Sequence, residues 1–169
     1  MSSNLILDPP QNLIDPKDYP LDKVFLDTEG CMKHNPQRDE FLQVTSILHL
    51  DLPGNLIVGH RRLEPGEFWE KGHLPGRPLF PGVLMIECLA QVGSIQAHYE
   101  LELDEDRFLG FGAADNVRFM DPVEPGTDLW IAGYITKSFH RRAYFRWDGR
   151  IIRECGKPVC TATITGLAI

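Results

Sequence analysis

Residues 81–101 read Pro81-Gly82-Val83-Leu84-Met85-Ile86-Glu87-Cys88-Leu89-Ala90-Gln91-Val92-Gly93-Ser94-Ile95-Gln96-Ala97-His98-Tyr99-Glu100-Leu101. Pro81-Gly82 opens the one convincing long helix, predicted from Val83 to about Leu101. Val83, Leu84, Met85, Ile86, Leu89, Ala90, Val92, Ile95 and Ala97 cover most of its circumference, so it is expected to be buried on nearly all sides. One polar line remains, Glu87, Gln91, Ser94 and His98, facing a cavity, a subunit interface or water. Gly93 costs about 1 kcal/mol against Ala within a helix. Its use there points to a close approach of the sheet.

Strands surround this helix. Leu42, Val44, Ser46, Leu48, Leu50 and Leu52 alternate with period two and predict a half-buried strand. The turn Leu52-Pro53-Gly54-Asn55 leads to a second strand over 56–63, forming a hairpin. Beyond the helix come strands over 108–120 and 129–136, then 142–147 running to a turn at Asp148-Gly149, and lastly 157–167. The expected class is α+β, with one antiparallel sheet wrapped around one long central helix. Such a sheet leaves the other side of the helix open, so a monomer is not expected.

Residues 1–30 hold four prolines and no periodicity, and read as a partly ordered N-terminal extension, a solvated tail rather than a lid. Residues 31–169 are read as a single domain. Apolar residues make up 43% of the 169, enough for a proper core. The net charge of −7 argues against nucleic-acid binding and against docking on an anionic membrane. With neither a signal peptide nor a long apolar run, the expected location is the cytoplasm. Cys31, Cys88, Cys155 and Cys160 lack metal-ligand spacing and are expected to be unpaired.

Residues 72–82 hold three prolines and three glycines, a stiff path with fixed turns that leads into the helix. It carries His73. A carboxyl on a buried helix needs a partner or a task, and Glu87 lies one turn in. Gln91, one turn further, can hydrogen-bond it. An imidazole and a carboxyl converging at a helix start form a general acid–base pair. The N–H groups of Gly82 and Val83 have no intrahelical acceptor, and the helix dipole favours negative charge beside them. An acyl carbonyl bound there would be polarised toward an enolate. Singly, a loop histidine is most often a surface or capping residue, and a lone glutamate one edge of an amphipathic face. Only the joint pattern points to a site.

The segment Gly72-His73-Leu74-Pro75-Gly76-Arg77-Pro78-Leu79-Phe80-Pro81-Gly82-Val83-Leu84-Met85-Ile86-Glu87-Cys88-Leu89-Ala90-Gln91 resembles the signature G-H-F-P-G-x-P-x-x-P-G-V-L-x-x-E-x-x-A-Q of FabZ-type 3-hydroxyacyl-acyl-carrier-protein dehydratases. Residues 110–119, with Pro122-Val123 and Pro125-Gly126, resemble the family's later strand, and 40–44 its first. The resemblance spans residue 34 to the C-terminus and implies the hotdog fold. It implies cofactor-free, metal-free dehydration of a 3-hydroxyacyl thioester carried by acyl carrier protein to the trans-2-enoyl thioester, in fatty acid biosynthesis. His73 would be the base, Glu87 the acid or water-orienting partner and Gly82 the carbonyl donor, with Val83 beside it and Gln91 holding Glu87. It implies further that His73 of one subunit faces Glu87 of another, in dimers that associate as a hexamer.

FabA-type isomerase-dehydratases carry Asp where this chain has Glu87, which favours a reaction without double-bond migration. Leu74 stands where the family commonly has Phe, and Thr45-Ser46 where it has Asp-Arg. The competing readings are a hotdog acyl thioesterase and a non-catalytic acyl-binding hotdog protein. An acidic carrier needs a local basic patch, for which Lys137, Arg141, Arg142 and Arg146, or Arg61 and Arg62, are the choices.

Overall fold

The central helix, α2 (Gly82–Glu100), crosses the concave face of a six-stranded sheet in a computed structural model that describes residues 13–104 and 106–169. The strands are β1 (Ser46–Asp51), β2 (Leu56–Arg62), β3 (Leu109–Phe119), β4 (Asp128–Phe139), β5 (Tyr144–Arg153) and β6 (Pro158–Ala168). Every neighbouring pair is antiparallel, in the order β1-β2-β4-β5-β6-β3. This is the hotdog arrangement expected from the sequence. Met85, Cys88, Leu89, Val92 and Ile95 of the helix share one core with Ile57, Ile131, Ile151 and Ile164 of the sheet. Full burial of each large aliphatic side chain contributes roughly 1.5–3 kcal/mol, so the helix is held mainly by this face.

Trp147 explains three glycines at once. Its indole lies where a Cβ on Gly149 would come within 1.9 Å, one on Gly133 within 2.2 Å and one on Gly93 within 3.0 Å. Gly133 and Gly149 are cross-strand partners, and Gly93 lets the helix settle on the ring. The Trp147 Nε1–H donates to Gln96 Oε1 at 2.7 Å, and Gln96 Nε2 donates to Asn55 Oδ1 at 3.0 Å. The turn expected at Asp148-Gly149 is therefore absent. Gly149 is a strand glycine placed for close packing, and β5 runs on to Arg153. The chain reverses instead at Gly156 (φ 83°), whose N–H donates to the Arg153 carbonyl.

The first strand also differs from its expected form. Asp39–Phe41 forms a 3₁₀ turn, and β1 begins at Ser46. A bulge between Ile47 and His49 inserts one residue and breaks the period-two face. Ile47 then belongs to the inner core, while Leu48 joins an outer cluster with Val58, Trp130 and Ile152.

Residues 13–34 pack on this frame. Ile14 enters the outer cluster, and Trp130 Nε1–H donates to the Tyr19 carbonyl at 2.9 Å. Leu26 bridges to Ile47 and covers the edge of β1. Helix α1 (Thr28–His34), capped by the Asp27 carboxylate on Gly30 N–H at 2.8 Å, buries Cys31 in the inner core. Residues 1–12 of the proposed extension lie outside the described residues. With β1 covered, β3 is the edge that no described strand extends. Its side chains are mostly exposed, Phe111 and Phe119 among them.

Candidate functional site

The loop before α2 is held at both ends. His73 N–H donates to the Trp69 carbonyl at 2.9 Å, Arg77 N–H to Leu74 at 3.0 Å, and Phe80 N–H to Val123 at 2.7 Å. Gly76 takes the left-handed conformation (φ 79°) that a side chain disfavours. This frame presents an exposed His73 whose Nδ1 lies 2.9 Å from the Leu79 carbonyl oxygen. A carbonyl only accepts, so this contact assigns the proton to Nδ1 and leaves the lone pair on Nε2. That is the tautomer a general base needs.

Pro81 caps α2 without a side-chain hydrogen bond. The N–H groups of Gly82 and Val83 sit in the first turn, where no intrahelical acceptor exists. A Cβ on Gly82 would meet the Phe119 ring at 2.8 Å, so only glycine lets Phe119 lie against the helix start. His73, Leu79, Gly82, Val83, Met85, Phe119 and Met120 line one apolar recess. Val83, expected among the buried residues, is 73% exposed there. In the first turn the helix has already left the cover of its own sheet.

Glu87 lines a different recess, with Gln37, Gln91, Ser94, Leu109, Phe111 and Phe145. Its Oε1 accepts from Gln91 Nε2 at 2.7 Å and from Gln37 Nε2 at 3.1 Å. Gln91 is fully engaged, since Nε2 also donates to the Phe41 carbonyl at 2.7 Å and Oε1 accepts from Gln43 N–H at 2.9 Å. The polar line on α2 borders a cavity, the first of the three expectations, through Glu87, Gln91 and Ser94. Gln91, Ser94 and His98 are buried, and His98 contacts the carbonyls of Ser94 and Arg107.

The chain thus brings Glu87 together with Gln91, and His73 together with Gly82 and Val83. It places the two groups in separate recesses. Gln37 went unnoticed in the sequence because it sits in a short loop without periodicity, and only the fold carries it to Glu87. Among the described residues, no group of three His, Cys, Asp or Glu side chains is placed to hold a metal ion. None of the described helices is long and apolar enough to cross a membrane.

A sheet curled around one helix, with a histidine loop feeding the helix start, defines a hotdog-fold domain. The chain belongs to the FabA-like family, whose domain model matches residues 35–163. It is 41% identical over 105 residues to the 3-hydroxyacyl-[acyl-carrier-protein] dehydratase FabZ of Desulfotalea psychrophila, covering 62% of this chain and 69% of that one. It is 35% identical over 146 residues to the FabZ of Roseiflexus castenholzii, covering 85% and 90%. Among solved structures it is similar to the dehydratase heterocomplex ApeI:P of Xenorhabdus doucetiae (TM-score 0.68, 14% identity, 82% and 90% covered). A mutant thioesterase of Pseudomonas aeruginosa is also similar (TM-score 0.62, 15% identity, 86% and 95% covered). At these identities the two structures speak for the fold alone.

Proposed function

We propose that the protein removes water from 3-hydroxyacyl groups carried by acyl carrier protein, giving the trans-2-enoyl thioester for fatty acid biosynthesis in the cytoplasm. The FabZ relatives, matched through the histidine loop and α2, support the reaction class. The observation that carries the geometry is the position of the two recesses at opposite ends of the open strand β3. Leu109 and Phe111, at its start, border the Glu87 recess, and Phe119, at its end, borders the His73 recess. Antiparallel pairing of β3 with its copy about Ala114 brings one chain's end against the other's start. The site is then composite: His73 and Gly82 from one subunit, Glu87 from the other. Three such dimers make up the hexamer that the resemblance implies.

In the reaction, His73 Nε2 takes the proton from the carbon beside the thioester carbonyl. The N–H of Gly82, with Val83 next to it, stabilises the charge gathering on the carbonyl oxygen. Glu87 gives a proton to the hydroxyl on the next carbon, the C–O bond breaks, and water leaves as the double bond forms. Two positioned proton-transfer groups each contribute a rate factor of roughly 10²–10⁴.

The test follows enoyl absorbance in the hydration direction with carrier-bound substrates. His73→Ala and Glu87→Gln should each lower turnover by about two orders of magnitude or more. Near wild-type turnover in either removes the assignment. Release of free thiol from the acyl substrate makes the protein a thioesterase instead, and binding without turnover makes it a scaffold.

A further inference from the structure

Glu87 is held at one oxygen only. Gln91 Nε2 and Gln37 Nε2 both donate to Oε1, and no side chain or backbone group among the described residues donates to Oε2. A carboxyl oxygen has two in-plane lone pairs. With both pairs of Oε1 engaged by N–H donors, a proton on this carboxyl has one place to go, which is Oε2.

The two glutamines hold Glu87 from different elements. Gln91 lies on the same helix. Gln37 comes from the loop between α1 and β1, where Asn35 Nδ2 donates to the Gln91 carbonyl at 3.2 Å. Arg38 Nη1 donates to the carbonyls of Asn35 and Gln37 at 2.8 and 2.7 Å, which fixes the loop. The Gln37 Oε1 is buried without a partner, and turning the amide over would press that oxygen against a carboxyl oxygen. The donor orientation is therefore the one the site enforces.

We propose that Gln37 is a positioning residue for the dehydration, an inference that rests on the dehydratase reading above. Together with Gln91 it confines the acidic proton to Glu87 Oε2. That proton passes from Oε2 to the substrate hydroxyl oxygen as the C–O bond breaks, leaving Glu87 as a carboxylate with both amides still on Oε1. Without Gln37 one lone pair of Oε1 is open, the proton divides between the two oxygens, and the carboxyl turns more freely.

Gln37→Met keeps the length and removes the donor. In the full-length enzyme it should lower kcat about tenfold and leave KM for the acyl thioester within about twofold, with an unchanged melting temperature. Glu87→Asp withdraws the carboxyl by one methylene from Gln37, so adding Gln37→Met to it should cost nothing further. An unchanged kcat, a change in KM alone, or an equal loss in both backgrounds overturns the proposal. If Gln37→Met does not fold, Gln37→Asn, which withdraws the amide by one methylene, is read by the same criteria. His73→Ala is measured alongside. If it retains turnover, the dehydratase reading falls and this inference with it; if it is inactive while Gln37→Met is unimpaired, the inference alone fails.

Discussion

Gln91 Nε2 lies 2.7 Å from Glu87 Oε1 one helical turn away, and the same nitrogen lies 2.7 Å from the Phe41 carbonyl oxygen. One amide thus ties the carboxyl of α2 to the segment that leads into β1. Gln91→Leu leaves the buried Gln43 N–H and the part-buried Phe41 carbonyl without partners. At roughly 1–3 kcal/mol for the buried N–H and at most as much for the part-buried carbonyl, the variant should lose about 1–6 kcal/mol in urea denaturation. A variant as stable as the parent would show that the network carries no weight.

The composite site proposed above makes a mixing experiment decisive. His73→Ala and Glu87→Gln subunits, each inactive alone, are unfolded together and refolded as equal mixtures. Half of the dimers are then mixed, and each mixed dimer holds one complete site of two, so about one quarter of parental activity should return. No recovery, despite mixed dimers shown by differential tagging, would place the two residues within one subunit.

Trp147 occupies the space that Gly149 leaves. Gly149→Ala puts a methyl group 1.9 Å from the indole, and overpacking of this kind costs about 1–3 kcal/mol. The melting temperature should fall, while Gly72→Ala, in open space, should leave it close to the parent value.

Three buried thiols should make stability fall in alkali. Burial pushes Cys31, Cys88 and Cys160 each up to about 12. In the unfolded chain such thiols ionise near their ordinary value of about 8.5. Between the two values the unfolded state gives up protons that the folded state keeps, so rising pH favours unfolding. The slope is at most about 1.4 kcal/mol per pH unit for each thiol. Urea midpoints should drop from pH 8 to pH 10.5, and less so when all three are alanine. Equal drops in both proteins would assign the effect to other groups.

Of the two basic groups considered for carrier docking, one is wholly committed to ion pairs, and in the other Arg146 lies 3.4 Å from Asp115. Arg61 pairs with Glu67, and Arg62 Nη1 lies 2.8 Å from Asp128. Arg141 and Arg142 are exposed in the turn between β4 and β5, close to the start of β3. Arg141→Glu with Arg142→Glu should raise KM about tenfold for carrier-bound substrate and leave small thioester analogues unaffected, since exposed charges act on encounter. An unchanged dependence on the carrier removes this turn from consideration.

Periodicity and glycine placement made α2, the strand pair and the later strands readable, because the repeat of a helix or a strand is local and survives in the order of residues. His73, Gly82, Glu87 and Gln91 stood out as a candidate set for the same reason, being within twenty residues of one another. The bulge at Leu48, the passage of β5 through Asp148-Gly149 and the exposure of Val83 were not readable. Each depends on what a distant element does: the cover from Ile14, the indole of Trp147, the end of the sheet beside α2. Gln37 is the plainest case. Fifty positions separate it from Glu87, and only the packing of α1 and its following loop on α2 brings the amide within 3.1 Å of the carboxyl. The residues proposed to perform the chemistry are written in one continuous segment; their arrangement into two recesses at opposite ends of β3 is a property of the folded sheet, because hydrogen-bonded register joins residues that the chain keeps far apart.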